Sequence, residues 1–98
     1  MLGGCTKSPP VPHAAIGGQL RSQALIDSGN AAFRVKAYDD AARRYASAAA
    51  IQPDDPAAYY GLGMALSRLG RDDEARVAYA KARDLAGRAG DSTVAPPR

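Results

Sequence analysis

The sequence predicts an all-α domain, and three observations carry that prediction. Of its 98 residues 22 are Ala, the strongest helix former, while Val, Ile and Phe together number 8, too few for a β-sandwich. Apolar residues between about Leu20 and Leu85 recur at helical spacing rather than in strand-like alternation. The same stretch also repeats itself. A shift of 34 residues places Gly29 on Gly63, Ala41 on Ala75, Tyr45 on Tyr79 and Ala48 on Ala82, with Arg34 on Arg68 and Ile51 on Leu85 in the same register.

Composition sharpens this. Leu, Ile, Val and Phe number only 15, a level at which disorder becomes a question. The net charge of +3 is small, however, and Ala-rich helices can pack closely, so the low count reads as tight helix pairing. A length of 98 residues bounds the chain to one small domain. A single Cys excludes a disulfide scaffold, and no apolar run reaches the length of a transmembrane helix. Thirteen basic residues are interleaved with ten acidic ones, and Arg43-Arg44 follows directly on Asp39-Asp40 and two alanines. That is not the unbroken basic stripe a nucleic-acid surface needs.

Taken in order, residues 1–18, MLGGCTKSPPVPHAAIGG, hold three of the seven prolines and four of the ten glycines. They read as a signal-peptide remnant (1–4) and a Pro/Gly-rich tether (5–18). The helical domain is expected over 19–89. Its first unit runs as one helix from about Leu20 to Lys36 and another from Tyr38 to Ile51, where Gln52-Pro53 stops it. The second opens at Asp54-Asp55-Pro56, an acidic cap followed by Pro in the first turn. Gly70 suits the left-handed closing position of that helix. Asp72-Asp73-Glu74 then starts the last helix with negative charge at the positive end of its dipole. Ala75, Ala78, Tyr79, Ala82 and Leu85 form its inner stripe. Residues 90–98, GDSTVAPPR, lack periodicity and read as a disordered tail, with Gly87, Gly90 and Pro96 opposing a long capping helix.

Two antiparallel helices approach closely only where side chains are short. Gly29 and Ala41, then Gly63 and Ala75, are therefore expected at the contacts within each pair. Tyr45 with Ala48, and Tyr79 with Ala82, would fill the space beside them.

These residues resemble the tetratricopeptide repeat, a 34-residue helical hairpin. In YYGLGMALSRLGRDDEARVAYAKARDL, Tyr59 stands at the usual Trp position, followed by Leu62-Gly63, Leu66, Gly70, Ala75, Tyr79 and Ala82. The first unit departs from the pattern, with Leu25 for the Trp, Ser28 before Gly29 and Lys36 where a turn Gly is common. The resemblance covers residues 22–88, in units 22–55 and 56–89. It implies a short right-handed solenoid whose first helices line a groove for a partner's peptide or helix. By that resemblance the groove residues are Gln23, Ile26, Asn30, Phe33 and Arg34, then Tyr60, Met64, Ser67 and Arg68. Asn30 fits the carboxylate clamp of chaperone-binding members, but Ile26 stands where a Lys is expected and Gly61 where an Asn is. A mixed apolar groove suits an apolar helix or extended segment better than an acidic tail. Two repeats are also few for covering their own ends, and the face around Val77, Ala78 and Leu85 is expected to stay partly bare.

Leu2-Gly3-Gly4-Cys5 resembles the bacterial lipobox, which implies a diacylglyceryl group on the Cys5 sulfur and a chain tethered in the cell envelope, facing the periplasm. Thr6, rather than Asp, after the Cys resembles outer-membrane sorting. Thr6 to Gly18, extended at about 3.1 Å per residue, would reach roughly 40 Å from the bilayer. Without that lipid the compartment would be the cytoplasm.

Catalytic and metal chemistry lack their ingredients. His13 and Cys5 both fall in the expected leader and tether, so no Ser/His/Asp, Cys/His or multi-ligand metal set can be assembled with them. Gly61-Leu62-Gly63 sits within a helix, not after a strand, so it is no phosphate loop. The expectation is a non-enzymatic, cofactor-free adaptor, with no small-molecule or nucleic-acid substrate, that helps assemble a membrane-associated complex. A permanent accessory subunit of such a complex, or a cytoplasmic adaptor, remains the alternative.

Overall fold

The computed structural model describes residues 10–93, which form four helices in chain order: α1 (Pro10–Arg34), α2 (Tyr38–Ile51), α3 (Pro56–Arg68) and α4 (Asp72–Thr93). Neighbours in sequence pack as neighbours in space. α1 pairs with α2 and α3 with α4, and α3 also packs across α2 and touches α1. The architecture is all-α, two helical hairpins laid side by side.

The turns follow from local chemistry. α1 ends in a left-handed residue, Lys36 at φ 65°, whose N–H donates to the Phe33 carbonyl (2.9 Å) while Ala37 N–H reaches Ala32 (2.9 Å). The end of α3 repeats this geometry 34 residues later. Gly70, at φ 80°, donates to Ser67 (3.0 Å), and Arg71 donates to Leu66 (2.9 Å). Both are Schellman closures, one built on the residue that suits it and one on a lysine. At the start of α3 the Asp55 carboxylate accepts from Ala57 N–H at 3.0 Å and Pro56 follows it.

The core is made largely of alanine. Of the fourteen buried hydrophobic residues among those described, ten are Ala, so the helix backbones can come close. The larger cluster gathers Ile26, Ala41, Tyr45, Ala48, Ala58 and Ala65, with Leu25, Phe33, Tyr59 and Leu62 packed at its margin. Leu66, Ala75 and Ala78 form a smaller one between α3 and α4. Ser22 is fully buried, and its hydroxyl donates to the Ala48 carbonyl at 3.4 Å. Ion pairs such as Arg76–Asp73 and Arg88–Asp84 lie on exposed helix faces, where each contributes little.

Two helix boundaries differ from the expectation. α1 begins at Pro10, inside the stretch read as tether, because Pro10 and Pro12 both fall in a first turn whose N–H groups have no intrahelical acceptor anyway. α4 continues past Gly87 and Gly90 to Thr93, inside the stretch read as tail. A helical glycine costs about 1 kcal/mol but does not stop a helix. Ala78 and Leu85, expected to stay partly bare, are buried, and of that trio only Val77 is exposed, at 71%. Residues 1–9, with Cys5 and the signal-peptide remnant, and residues 94–98 lie outside those described. No described helix is long and apolar enough to cross a membrane.

Candidate functional site

Small residues in the sequence set how the tyrosines pack. Gly29 on α1 and Gly61 on α3 both lie against the Cδ1–Cε1–Cζ edge of the Tyr45 ring. A Cβ at Gly29 would stand 2.9 Å from that ring, and one at Gly61 would stand closer still. Tyr45 is 1% exposed, and its hydroxyl donates to Asn30 Oδ1 at 2.5 Å. Desolvation by burial raises its pKa above the ordinary value, and the nearby Arg34 guanidinium partly opposes this. The partner position in the second hairpin, Tyr79, rests against Gly63, where an added Cβ would come within 2.7 Å of its ring. Ala41, Ala48, Ala75 and Ala82 are buried beside these rings.

The nine residues expected to line one groove are not gathered in one: four fall in three separate places and the other five lie elsewhere on α1 and α3. Ile26 is not a groove residue: it is 6% exposed and belongs to the core, because α3 covers the α1–α2 pair at that level. Tyr60 occupies the same register one repeat later and is 55% exposed, and among the described residues no further helix covers it.

Phe33 and Arg68 meet at the turn end of the hairpins. The Arg68 guanidinium lies 5.2 Å from the Phe33 ring centre and 5.6 Å from that of Tyr38, and it donates to the Tyr38 hydroxyl at 2.9 Å. Phe33 and Tyr38 pack edge to face with centroids 5.0 Å apart. Arg68 is thus engaged in joining α3 to the first hairpin. Tyr38 was missed as part of this cluster, and its position five residues after Phe33, across a three-residue turn, is the signal that could have found it. Gln23, Asn30, Arg34 and Ser67 are exposed on α1 and α3, and Met64 is half-buried.

The third place is a groove of about 600 Å³ between the start of α3 and the middle of α4, bounded by Pro56, Ala57, Tyr60, Tyr79, Ala82 and Arg83. The Tyr60 and Tyr79 rings form its wall, with centroids 5.6 Å apart and planes tilted by 53°. A second apolar hollow of about 440 Å³ lies on another face of the same two helices, around Tyr59, Leu62, Leu66 and Val77. Its register equivalents in the first hairpin include Ser28 and Arg43, so this strip is apolar only in the second.

Among the described residues no three His, Cys, Asp or Glu side chains gather as a metal-binding group. What the surface can do is take up another chain against aromatic and small apolar residues. Compared with known proteins, the tetratricopeptide repeat matches residues 25–89. No curated protein matches the chain.

Proposed function

The chain belongs to the tetratricopeptide repeat family, and from that premise we propose that it is a non-enzymatic adaptor that binds another protein through the open groove beside Tyr60 and Tyr79. Repeats of this family are interaction modules rather than catalysts. The observation that carries the reading is the exposure of Tyr60: a 55%-exposed aromatic standing over an apolar hollow, in the register where Ile26 is covered. Aromatic anchors beside small residues are the usual centre of a binding hot spot.

The adaptor is held at a bacterial membrane by lipid on Cys5, facing the periplasm with the outer membrane favoured, and helps assemble or stabilise a complex there. The Leu2-Gly3-Gly4-Cys5 pattern supports this part. Two tests separate the two parts. Co-purification from native membranes should yield a partner that is lost when Ala86→Arg blocks the exposed rim of the groove; a partner retained by that variant contradicts the groove. Intact mass of the protein from its native host should show the diacylglyceryl adduct on Cys5, and a free thiol there contradicts the anchor.

A second reading has its own support. The second hairpin exposes apolar side chains on two faces, Tyr60 on one and Val77 on the other. A permanent subunit enclosed by neighbours would cover both, and would co-purify at fixed stoichiometry.

A further inference from the structure

We propose that the groove beside Tyr79 is the seat of a partner α-helix carrying a Gly or Ala over the Tyr79 ring and an acidic residue towards Arg83. This rests on the adaptor reading and names the partner's chemistry.

The molecule contains its own template for the occupant. Shifted back by 34 residues, Tyr79, Ala82 and Tyr60 become Tyr45, Ala48 and Ile26, which are 1%, 0% and 6% exposed. The element seated on them is α3, whose Gly61 lies against Tyr45 and whose Ala58 and Ala65 are completely buried. Among the described residues the groove therefore has the shape of a repeat interface with no helix seated on it. An extended strand would leave backbone N–H and C=O groups facing an apolar wall, whereas a helix satisfies its own.

Charge and register narrow the choice of helix. Arg83 stands at the register of Ala49, is exposed, and joins none of the ion pairs formed among the described residues. It adds a cation to the rim that the template lacks, which favours an acidic residue opposite it. A second copy fits poorly. Stacking α1 of another copy in the repeat register would put Asp27 where Gly61 lies, and that position has no room even for a Cβ. Pairing the face with itself would set two Arg83 side chains across one small patch.

The test uses the full chain and a helix-stapled peptide of its own residues Asp55–Arg68 as the probe, followed by amide NMR. Stapling matters because a helix this short is marginal alone. The expected result is saturable shifts at Tyr60, Tyr79, Ala82, Arg83 and Ala86. Binding should weaken at least about tenfold with Gly61→Leu in the peptide, or with Ala86→Arg in the chain at unchanged helix content. A peptide with Glu on the turn facing Arg83 should bind better than one with Lys, and Arg83→Ala should remove that preference. The proposal is overturned by no shifts up to about 1 mM peptide, by shifts confined to Phe33 and Tyr38, by indifference to Gly61→Leu, or by concentration-dependent shifts at Tyr79 without peptide, which would assign the face to a second copy. A proline-substituted peptide that cannot form a helix separates the two claims. If it alone binds the groove, the helix assignment falls and the adaptor reading stands. If neither peptide binds and the native partner survives Ala86→Arg, both fall.

Discussion

Gly61 on α3 lies so close to the Tyr45 ring on α2 that no side-chain carbon fits between them. Tyr45 cannot withdraw, because Gly29 of α1 rests on the same ring edge and the residue is buried. The contact fixes how the second hairpin sits on the first. Gly61→Ala should therefore destabilise the fold by about 2 kcal/mol, even though Ala gains about 1 kcal/mol in helix propensity. Gly87→Ala is the counterpart: an added Cβ there meets nothing within 4 Å, so the propensity gain should appear as about 1 kcal/mol of added stability. Urea unfolding of the two variants checks both signs.

That contact also shows how far the sequence was readable. Helices, turns and the 34-residue register could be read because Gly29/Gly63 and Tyr45/Tyr79 recur in place. Gly61 was hidden because its register partner is Asp27, and among the described residues no preceding unit makes the corresponding contact. Ile26 was misplaced for the same reason. A repeat pattern assigns one role to each position, yet α3 lies over Ile26 and no described helix lies over Tyr60. The start of α1 at Pro10 and the run of α4 beyond Ala89 to Thr93 are not legible from composition, because Pro is tolerated in a first turn and Gly within a helix.

Lys36 holds a left-handed conformation, φ 65°, that Gly70 adopts without a Cβ penalty at the same point of the second hairpin. Lys36→Gly should raise stability by about 1 kcal/mol, and Gly70→Ala should lower it by a similar amount. Thermal unfolding that moves in the opposite direction for either variant would contradict the assignment of strain to this turn.

Asp55 accepts from Ala57 N–H at the start of α3. Its replacement by Ala should cost about 1 kcal/mol, while Asp55→Asn or Asp55→Ser should retain most of it. Denaturant midpoints of the three variants make the comparison.

Tyr45 gives the fold an alkaline limit. Burial raises its pKa above the ordinary 10.0, so the unfolded chain loses this proton first as pH rises. The contribution is intact below about pH 10 and is lost progressively above it. Tyr45→Phe should cost about 1 kcal/mol at neutral pH through the lost hydrogen bond to Asn30, and should flatten the alkaline decline. Stability curves for wild type and variant from pH 8 to about 11 would show it.

On the proposed reading, the second hairpin presents at Tyr79 an open repeat interface that a partner helix completes. Hydrogen exchange on the chain alone and in the complex isolated from native membranes tests this most directly. Added protection is expected over the start of α3 and the Tyr79–Ala86 segment of α4, with Phe33–Tyr38 unchanged. Protection confined to Phe33–Tyr38, with none added at Tyr79, would contradict it.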